Sequence, residues 1–318
     1  MIKVDHVYDA IVVGAGPAGI SCALECIESA LDVIVIDRSD RVGGQLPLIP
    51  GPLQNFSAGF YATGDALRQE MEKVATLALP QRIFTKLNVQ AFNLQELSLE
   101  TSQGTLRART IFLATGYRVK ELDTSLTNGY EKDIYYHNGF GQSELENKKL
   151  IVVGSGDSAM LTALDMAEIC PDLKVLVRGG TLKARPDVIA RVEAHPRISV
   201  LLNTSLKALK GAENLESVIV SNQDGEGQLP YHELPCHELP CHKLIAKLGY
   251  MPNTELFVDQ LKSDERGHII IDENFATSIE GVFAGGDIVQ PGYDRIAFAS
   301  GSGMMAAKSI RKAIGHNV

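Results

Sequence analysis

The groups in this 318-residue sequence that could carry chemistry are two glycine-rich turns, two carboxylates placed near them, and a tandem run of cysteine and histidine. In GAGPAG, Gly14, Gly16 and Gly19 have dinucleotide-fingerprint spacing: the first permits a tight turn, the second lets a pyrophosphate approach the backbone, and the third lets a helix close on its strand. Pro17 and Ala18 open that helix, whose unpaired N–H groups face the anion. Asp37, with Arg38 beside it, stands about twenty residues further on, where a carboxylate accepts hydrogen bonds from a ribose. A second turn, GSGDSA, contributes Gly154, Gly156, Asp157 and Ser158, and is followed by Arg178, Lys183 and Arg185, a basic patch suited to a phosphate-bearing ligand.

The run HELPCHELPCH repeats a five-residue unit from His232 to His242 and presents Cys236 and Cys241 at C-x4-C spacing, flanked by His237 and His242. Three readings are open. A redox pair needs a chain that turns enough to bring the Cα atoms within about 7 Å, and the histidines would then lower a thiol pKa or shuttle protons. A zinc site has ligands enough but none of the common spacings, and no metal is assigned. A surface loop lengthened by local duplication is the third. The redox pair is the reading adopted, with Cys236, Cys241, His237 and His242 as the catalytic set. Cys22, Cys26 and Cys170 lie in helix-like apolar runs and read as core.

Positioning these groups takes a particular set of elements. YDAIVVGAGPAGISCALECIESALDVIVID reads as strand, glycine turn, helix, strand, and KKLIVVGSGDSAMLTALDMAEICPDLKVLVR repeats the pattern. The expected fold class is α/β, with two Rossmann-like dinucleotide-binding domains of three-layer ββα type, the second inserted in the first. The expected boundaries are 1–118 plus 245–318 for the first domain and 119–244 for the second.

Four further motifs narrow the dinucleotide: RVGGQLP, LATGYR, GVFAGGDI and YDRIAFASGSGMMAA. With the first glycine turn they resemble, in order and over nearly the whole chain, the low-molecular-weight thioredoxin reductase family. The resemblance implies FAD in the first domain, with Gly43, Gly44, Gln45 and Asn55 by the flavin and Ala114, Thr115 and Gly116 at the crossover. It further implies Gly286 and Asp287 on the ribityl chain and pyrophosphate, and Arg295, Ile296 and Ala297 at the pyrimidine edge. Chemistry agrees in two places: a carboxylate after two glycines reaches ribityl hydroxyls, and a helix N-terminus near Ala297 favours negative charge on a reduced flavin.

The sequence also departs from that family. Ile134 and His137 stand where its Cys-x-x-Cys pair would be, so disulfide exchange at that position has no thiolate to perform it. Leu161 and Thr162 replace the acidic pair after the second turn, and Val177, Arg178, Gly179 replace the stretch that holds the NADPH 2′-phosphate. This combination is similar to the cyanobacterial diflavin-linked disulfide oxidoreductases. That branch implies a second FAD in the NADPH position, contacted by Gly154, Gly156, Asp157, Ser158 and Arg178, and an enzyme not driven by NADPH. Its partner would be a dithiol or disulfide protein or a small thiol, with a membrane-associated electron acceptor. The family implies a homodimer. The competing readings are an NAD(P)H-dependent ferredoxin or flavodoxin reductase on the same fold, and a flavin-binding sensor without turnover.

A net charge of −9 argues against nucleic acid, which needs a basic face. The N-terminus has no signal-peptide pattern and no apolar run approaches the about 20 residues of a membrane span, so the expected location is the cytoplasm.

Overall fold

The computed structural model describes residues 2–49, 51–127, 129–137, 142–222, 236–289 and 294–315. The first copy of the HELPC unit therefore lies outside the described residues, apart from its Cys236. The chain divides into two compact units, Met1–Arg118 with Met251–Val318, and Val119–Tyr250.

The first unit begins with β1 (Val7–Val13), α1 (Pro17–Glu28), β2 (Val33–Ile36), α2 (Gly64–Ala78) and β3 (Ile83–Phe84), and continues through β4 (Val89–Asn93), β5 (Ser98–Thr101), β6 (Gly104–Leu113) and the crossing strand β7 (Tyr117–Val119). Its sheet runs β3-β2-β1-β6-β5-β4. The β1–β2 and β1–β6 pairs are parallel, and β4, β5 and β6 form an antiparallel meander. Both faces of β1 are covered, which is why its residues are apolar almost without interruption. Ile11 and Val13 join Leu99, Phe92 and Phe257 on one side, and Ala10 and Val12 join α1 residues Ile20, Cys22, Ala23 and Cys26 on the other.

The second unit contains α3 (Thr124–Thr127), β8 (Ile134–Tyr135), α4 (Gln142–Leu145), β9 (Leu150–Val153), α5 (Asp157–Ala167), β10 (Leu173–Leu176), α6 (Pro186–Glu193), β11 (Ile198–Leu201), β12 (Thr204–Lys210), β13 (Ser217–Asn222), β14 (Cys236–Pro240) and β15 (Lys243–Ala246). The order β11-β10-β9-β15-β8 makes a parallel sheet, and β12-β13-β14 a separate antiparallel one. The return crossing falls later than the sequence suggested, after Tyr250 rather than 244. The reason is β15: Lys243–Ala246 is an interior strand of this sheet, hydrogen-bonded to β9 on one side and β8 on the other.

The chain re-enters the first unit through β16 (Tyr250–Pro252), which pairs with β7, adds β17 (Val282–Ala284) beside β6, and ends in α7 (Ile296–Ala313). Helices α1 and α7 touch backbone to backbone: a Cβ at Gly303 would lie 1.9 Å from the Ala18 carbonyl oxygen. No helix of the described residues is long and apolar enough to cross a membrane.

Candidate functional site

The first glycine turn sits at the carboxyl end of β1. Gly14 has φ +113°, and a Cβ there would stand 2.2 Å from the carbonyl oxygen of Ala114, so only glycine lets β1 and β6 deliver their ends together. Gly19 is equally tight, with a Cβ 1.8 Å from the Gly14 oxygen. Gly43 donates its N–H to Ala15 O at 2.8 Å, Gly44 comes within van der Waals reach of Gly16, and Gly286 meets the Ala18 methyl. The loop after β2, the turn after β17 and the end of β6 thus converge on the N-terminus of α1, a cradle of backbone with few side chains. That is the shape a pyrophosphate requires.

Carboxylates flank the cradle. Asp37 accepts from Ala15 N at 2.6 Å and Ser39 N at 2.7 Å, which fixes it at the mouth of the turn. Asp287 receives the Gln45 side-chain amide at 3.4 Å, and burial, reinforced by the charge of Asp294, pushes its pKa up to about 6. Thr115 and Gly116 are held by Asn253, through Thr115 Oγ1 to Asn253 O at 2.7 Å, Asn253 Nδ2 to Thr115 O at 2.9 Å and Asn253 N to Gly116 O at 2.9 Å. Ser302 Oγ accepts from Gly286 N at 2.8 Å and donates to Ala299 O at 2.7 Å, anchoring the Asp287 turn on α7. Asn253 lies outside the sequence motifs, with the PNT after the return crossing its only signal, and Ser302 lies within YDRIAFASGSGMMAA, which assigns it no role. Arg295 caps α7 and pairs with Asp294 at 3.0 Å, and Ile296 and Ala297 form the first turn. Arg38 and Asn55 are exposed, Asn55 in the loop before α2. The donor set fits FAD: backbone for the diphosphate, Asp37 for the ribose, Asp287 for the ribityl hydroxyls, and the α7 terminus for the pyrimidine edge.

In the second unit Gly154 has φ +148°, and a Cβ would strike the Lys247 carbonyl oxygen at 2.5 Å. Gly156 caps α5, and Asp157 Oδ1 accepts from Arg185 N at 2.7 Å. Arg185 Nε also pairs with Asp157 Oδ2 at 3.0 Å, so one of the three basic residues expected to meet phosphate is already neutralised. Arg178, Lys183 and Ser158 are exposed. Thr162, one of the two replacements for the acidic pair, is buried in the core-facing side of α5.

Lys247 belongs to no motif in the sequence, and its place emerges only from the sheet. It follows β15, where the strand order β10-β9-β15-β8 reverses direction, the point at which open α/β sheets bind ligands. Its Nζ donates to the Tyr136 carbonyl at 3.0 Å, and burial brings its pKa down to about 8. His137, nearby, is pushed down by burial and then by the Lys247 charge.

The expected redox pair is corrected by the structure. From Cys236 to Pro240 the chain is an extended strand, registered residue by residue against Ser221 to Ser217, and Cys241 N continues the ladder to Glu216 O at 2.9 Å. The four steps of β14 alone carry the chain about 13 Å, far beyond the span of a disulfide. Neither thiol is in a disulfide: Cys236 is exposed and Cys241 fully buried beside Ile134, Ile151 and Leu244. Cys241 donates to Lys243 O at 3.1 Å, and burial pushes its pKa up to about 12. His237 is exposed on β14, and His242 Nδ1 accepts from Lys149 N at 3.1 Å at the amino end of the parallel strands, opposite to the glycine turn. The set is thus dispersed, and the end of the sheet it borders is not the ligand-binding one.

Residues 8–306 match the family described as pyridine nucleotide-disulphide oxidoreductase. The chain belongs to that family. Within it, the chain is 29% identical over 305 residues to a thioredoxin reductase of Treponema pallidum, covering 94% of this chain and 95% of that one. It is 28% identical over 310 residues to a NADH dehydrogenase of Bacillus subtilis, covering 94% of this chain and 57% of that protein. The fold superimposes on Lactococcus lactis thioredoxin reductase with a TM-score of 0.81 at 22% identity, covering 98% and 100% of the two chains. The protein is an oxidoreductase of the thioredoxin reductase type.

Proposed function

We propose that this oxidoreductase moves electron pairs between FAD, held in the first unit, and a thiol–disulfide couple carried by a partner protein or small thiol, with no internal cysteine pair in the path. The observation that carries the reading is an FAD-shaped cradle in a chain whose strand geometry separates Cys236 from Cys241. Ile134 and His137, at the position of the family's thiols, add to it. A partner dithiol would close its own disulfide, releasing two electrons and two protons; FAD, when bound, is a two-electron acceptor. The same groups serve the reverse direction.

For the second glycine turn we assign a second FAD in place of NADPH. Support comes from Arg185 being tied to Asp157 and from Val177 and Gly179 flanking Arg178 where the family's 2′-phosphate-holding stretch would be, which leave a 2′-phosphate with little to hold it. A homodimer and a membrane-associated acceptor complete this reading. The second reading is an NAD(P)H-dependent reductase, favoured by the intact geometry of the Gly154 turn and the likeness to the Bacillus subtilis NADH dehydrogenase.

The deciding experiment is flavin content per chain, followed by anaerobic titration with dithiothreitol and with NADPH. Two FAD per chain, bleached by dithiothreitol in the native protein and equally in Cys236→Ser, is the expected result. One FAD, bleached rapidly by NADPH and inert to dithiol, establishes the second reading instead.

A further inference from the structure

Tyr117 opens β7, directly after Gly116. Its hydroxyl lies 2.8 Å from His268 Nε2, and the two rings meet edge to face with centroids 5.7 Å apart. His268 Nδ1 in turn lies 3.1 Å from both oxygens of Asp264. An ionised carboxylate only accepts, so Asp264 fixes the Nδ1–H tautomer and makes Nε2 the acceptor of the phenolic proton. His268 is 5% exposed, which keeps water from competing for it. Asp264 is itself fixed, because its Oδ1 accepts from Arg266 N at 2.8 Å and His268 N at 2.9 Å in a turn closed by Gly267 at φ +83°.

Two connections lead from this triad to the flavin cradle. Ile269 N, next to His268, donates to Ile288 O at 2.9 Å, next to Asp287. Gly116, next to Tyr117, sits beside the Gln45 amide that reaches Asp287. The phenol is within electrostatic reach of that carboxylate: burial pushes its pKa up to about 12, with Asp287, Asp294 and Asp264 adding to the rise and Arg266 opposing it. Tyr117 therefore keeps its proton across the physiological range.

We infer that Tyr117 is a flavin-binding residue whose oxygen, its proton committed to His268, accepts a hydrogen bond from a ribityl hydroxyl of FAD, and that His268 and Asp264 are positioning residues that set its orientation. The inference rests on the FAD reading of the first unit and deepens it. Asp287 and Tyr117 then each offer an acceptor to the polyol chain, and the carboxylate charge of Asp287 disfavours phosphate there. The diphosphate is left to the backbone cradle at α1, so the two ends of the site sort the two halves of the cofactor.

The test is FAD affinity of the flavin-stripped protein, read from the change in flavin fluorescence on titration. Y117F is expected to bind FAD about tenfold more weakly, the worth of one hydrogen bond in a partly buried site. H268F should cost a similar factor, add less than about twofold in the Y117F background, and be largely rescued by H268Q, whose amide oxygen replaces Nε2 as acceptor. Wild-type affinity in Y117F, or an H268F effect undiminished by Y117F, overturns the inference. Asp287→Asn separates the two levels. If it weakens FAD and Y117F does not, only the role of Tyr117 fails; if the wild-type apoprotein takes up no FAD, the cofactor reading fails with it.

Discussion

Burial decides which side chains here can react, and the two cysteines of the tandem repeat sit at opposite extremes. Cys236 is exposed at the start of β14, whereas Cys241 is enclosed by Ile134, Ile151 and Leu244, with its pKa pushed up to about 12. Since the thiolate is the nucleophile, alkylation of the native protein at pH 8 should modify Cys236 rapidly and leave Cys241, Cys22, Cys26 and Cys170 untouched until the chain is denatured; mass spectrometry of the labelled peptides reads this directly. Equal labelling of Cys241 would mean that β14 opens in solution. Asp287 carries the second residue-scale prediction. Its folded pKa is raised to about 6 by burial, so below that pH it holds a proton and loses an acceptor. FAD affinity should therefore fall as pH drops through about 6, and Asp287→Asn should be weak and flat over the same range. The same shift makes the carboxylate a stability cost that is absent below the unfolded pKa, grows as pH rises toward about 6 and is constant above it.

Elements rather than residues explain why part of this site was legible in the sequence and part was not. The glycines of both turns could be read because strand, turn and helix follow one another locally, and Gly14 and Gly154 occupy conformations that other residues rarely adopt. The tandem repeat misled because CHELP has no period-two apolar pattern; β14 is a strand only because β13 provides its ladder, a partner not apparent from local spacing. Asn253 and Lys247 escaped for a related reason, since each meets a backbone group far away in sequence, and Ser302 because its partner Gly286 lies in the turn after β17 rather than on α7. Helix α7 offers a test of element packing with an internal control. Gly303 faces the Ala18 carbonyl, where a methyl has no room, while Gly301 has nothing within 4 Å of a new Cβ. Gly303→Ala should destabilise the protein by about 1–3 kcal/mol through overpacking of α1 against α7. Gly301→Ala should stabilise it by about 0.5–1 kcal/mol through helix propensity alone. Denaturant unfolding monitored by circular dichroism distinguishes them, and a neutral Gly303→Ala would show that the two helices can move apart.

At the scale of the molecule, the chain carries two dinucleotide folds whose turns share a backbone design but differ in what surrounds them. The first is lined by the carboxylates Asp37 and Asp287, the second by Lys247 at its strand-order reversal, with Arg178 and Lys183 exposed nearby. Because the determinants lie in separate units, variants of one should leave the other alone. Lys247→Met is expected to weaken the ligand of the second unit about tenfold while leaving the first FAD in place; flavin stoichiometry and NADPH titration of the same sample measure both. The pH dependence supplies the sign. Lys247, whose carbonyl abuts Gly154, is held down to about 8 by burial, so as pH rises through that value the wild type loses a cation in the second unit and its affinity for an anionic dinucleotide falls, whereas Lys247→Met shows no such step. Stability moves the other way: between about 8 and the unfolded lysine pKa the unfolded chain binds the extra proton, so native stability rises with pH and the variant lacks that rise. Opposite slopes for binding and unfolding in one pH window, both abolished by one substitution, are what a half-buried lysine that serves the second site requires, and a wild type in which either slope is absent would remove Lys247 from the site.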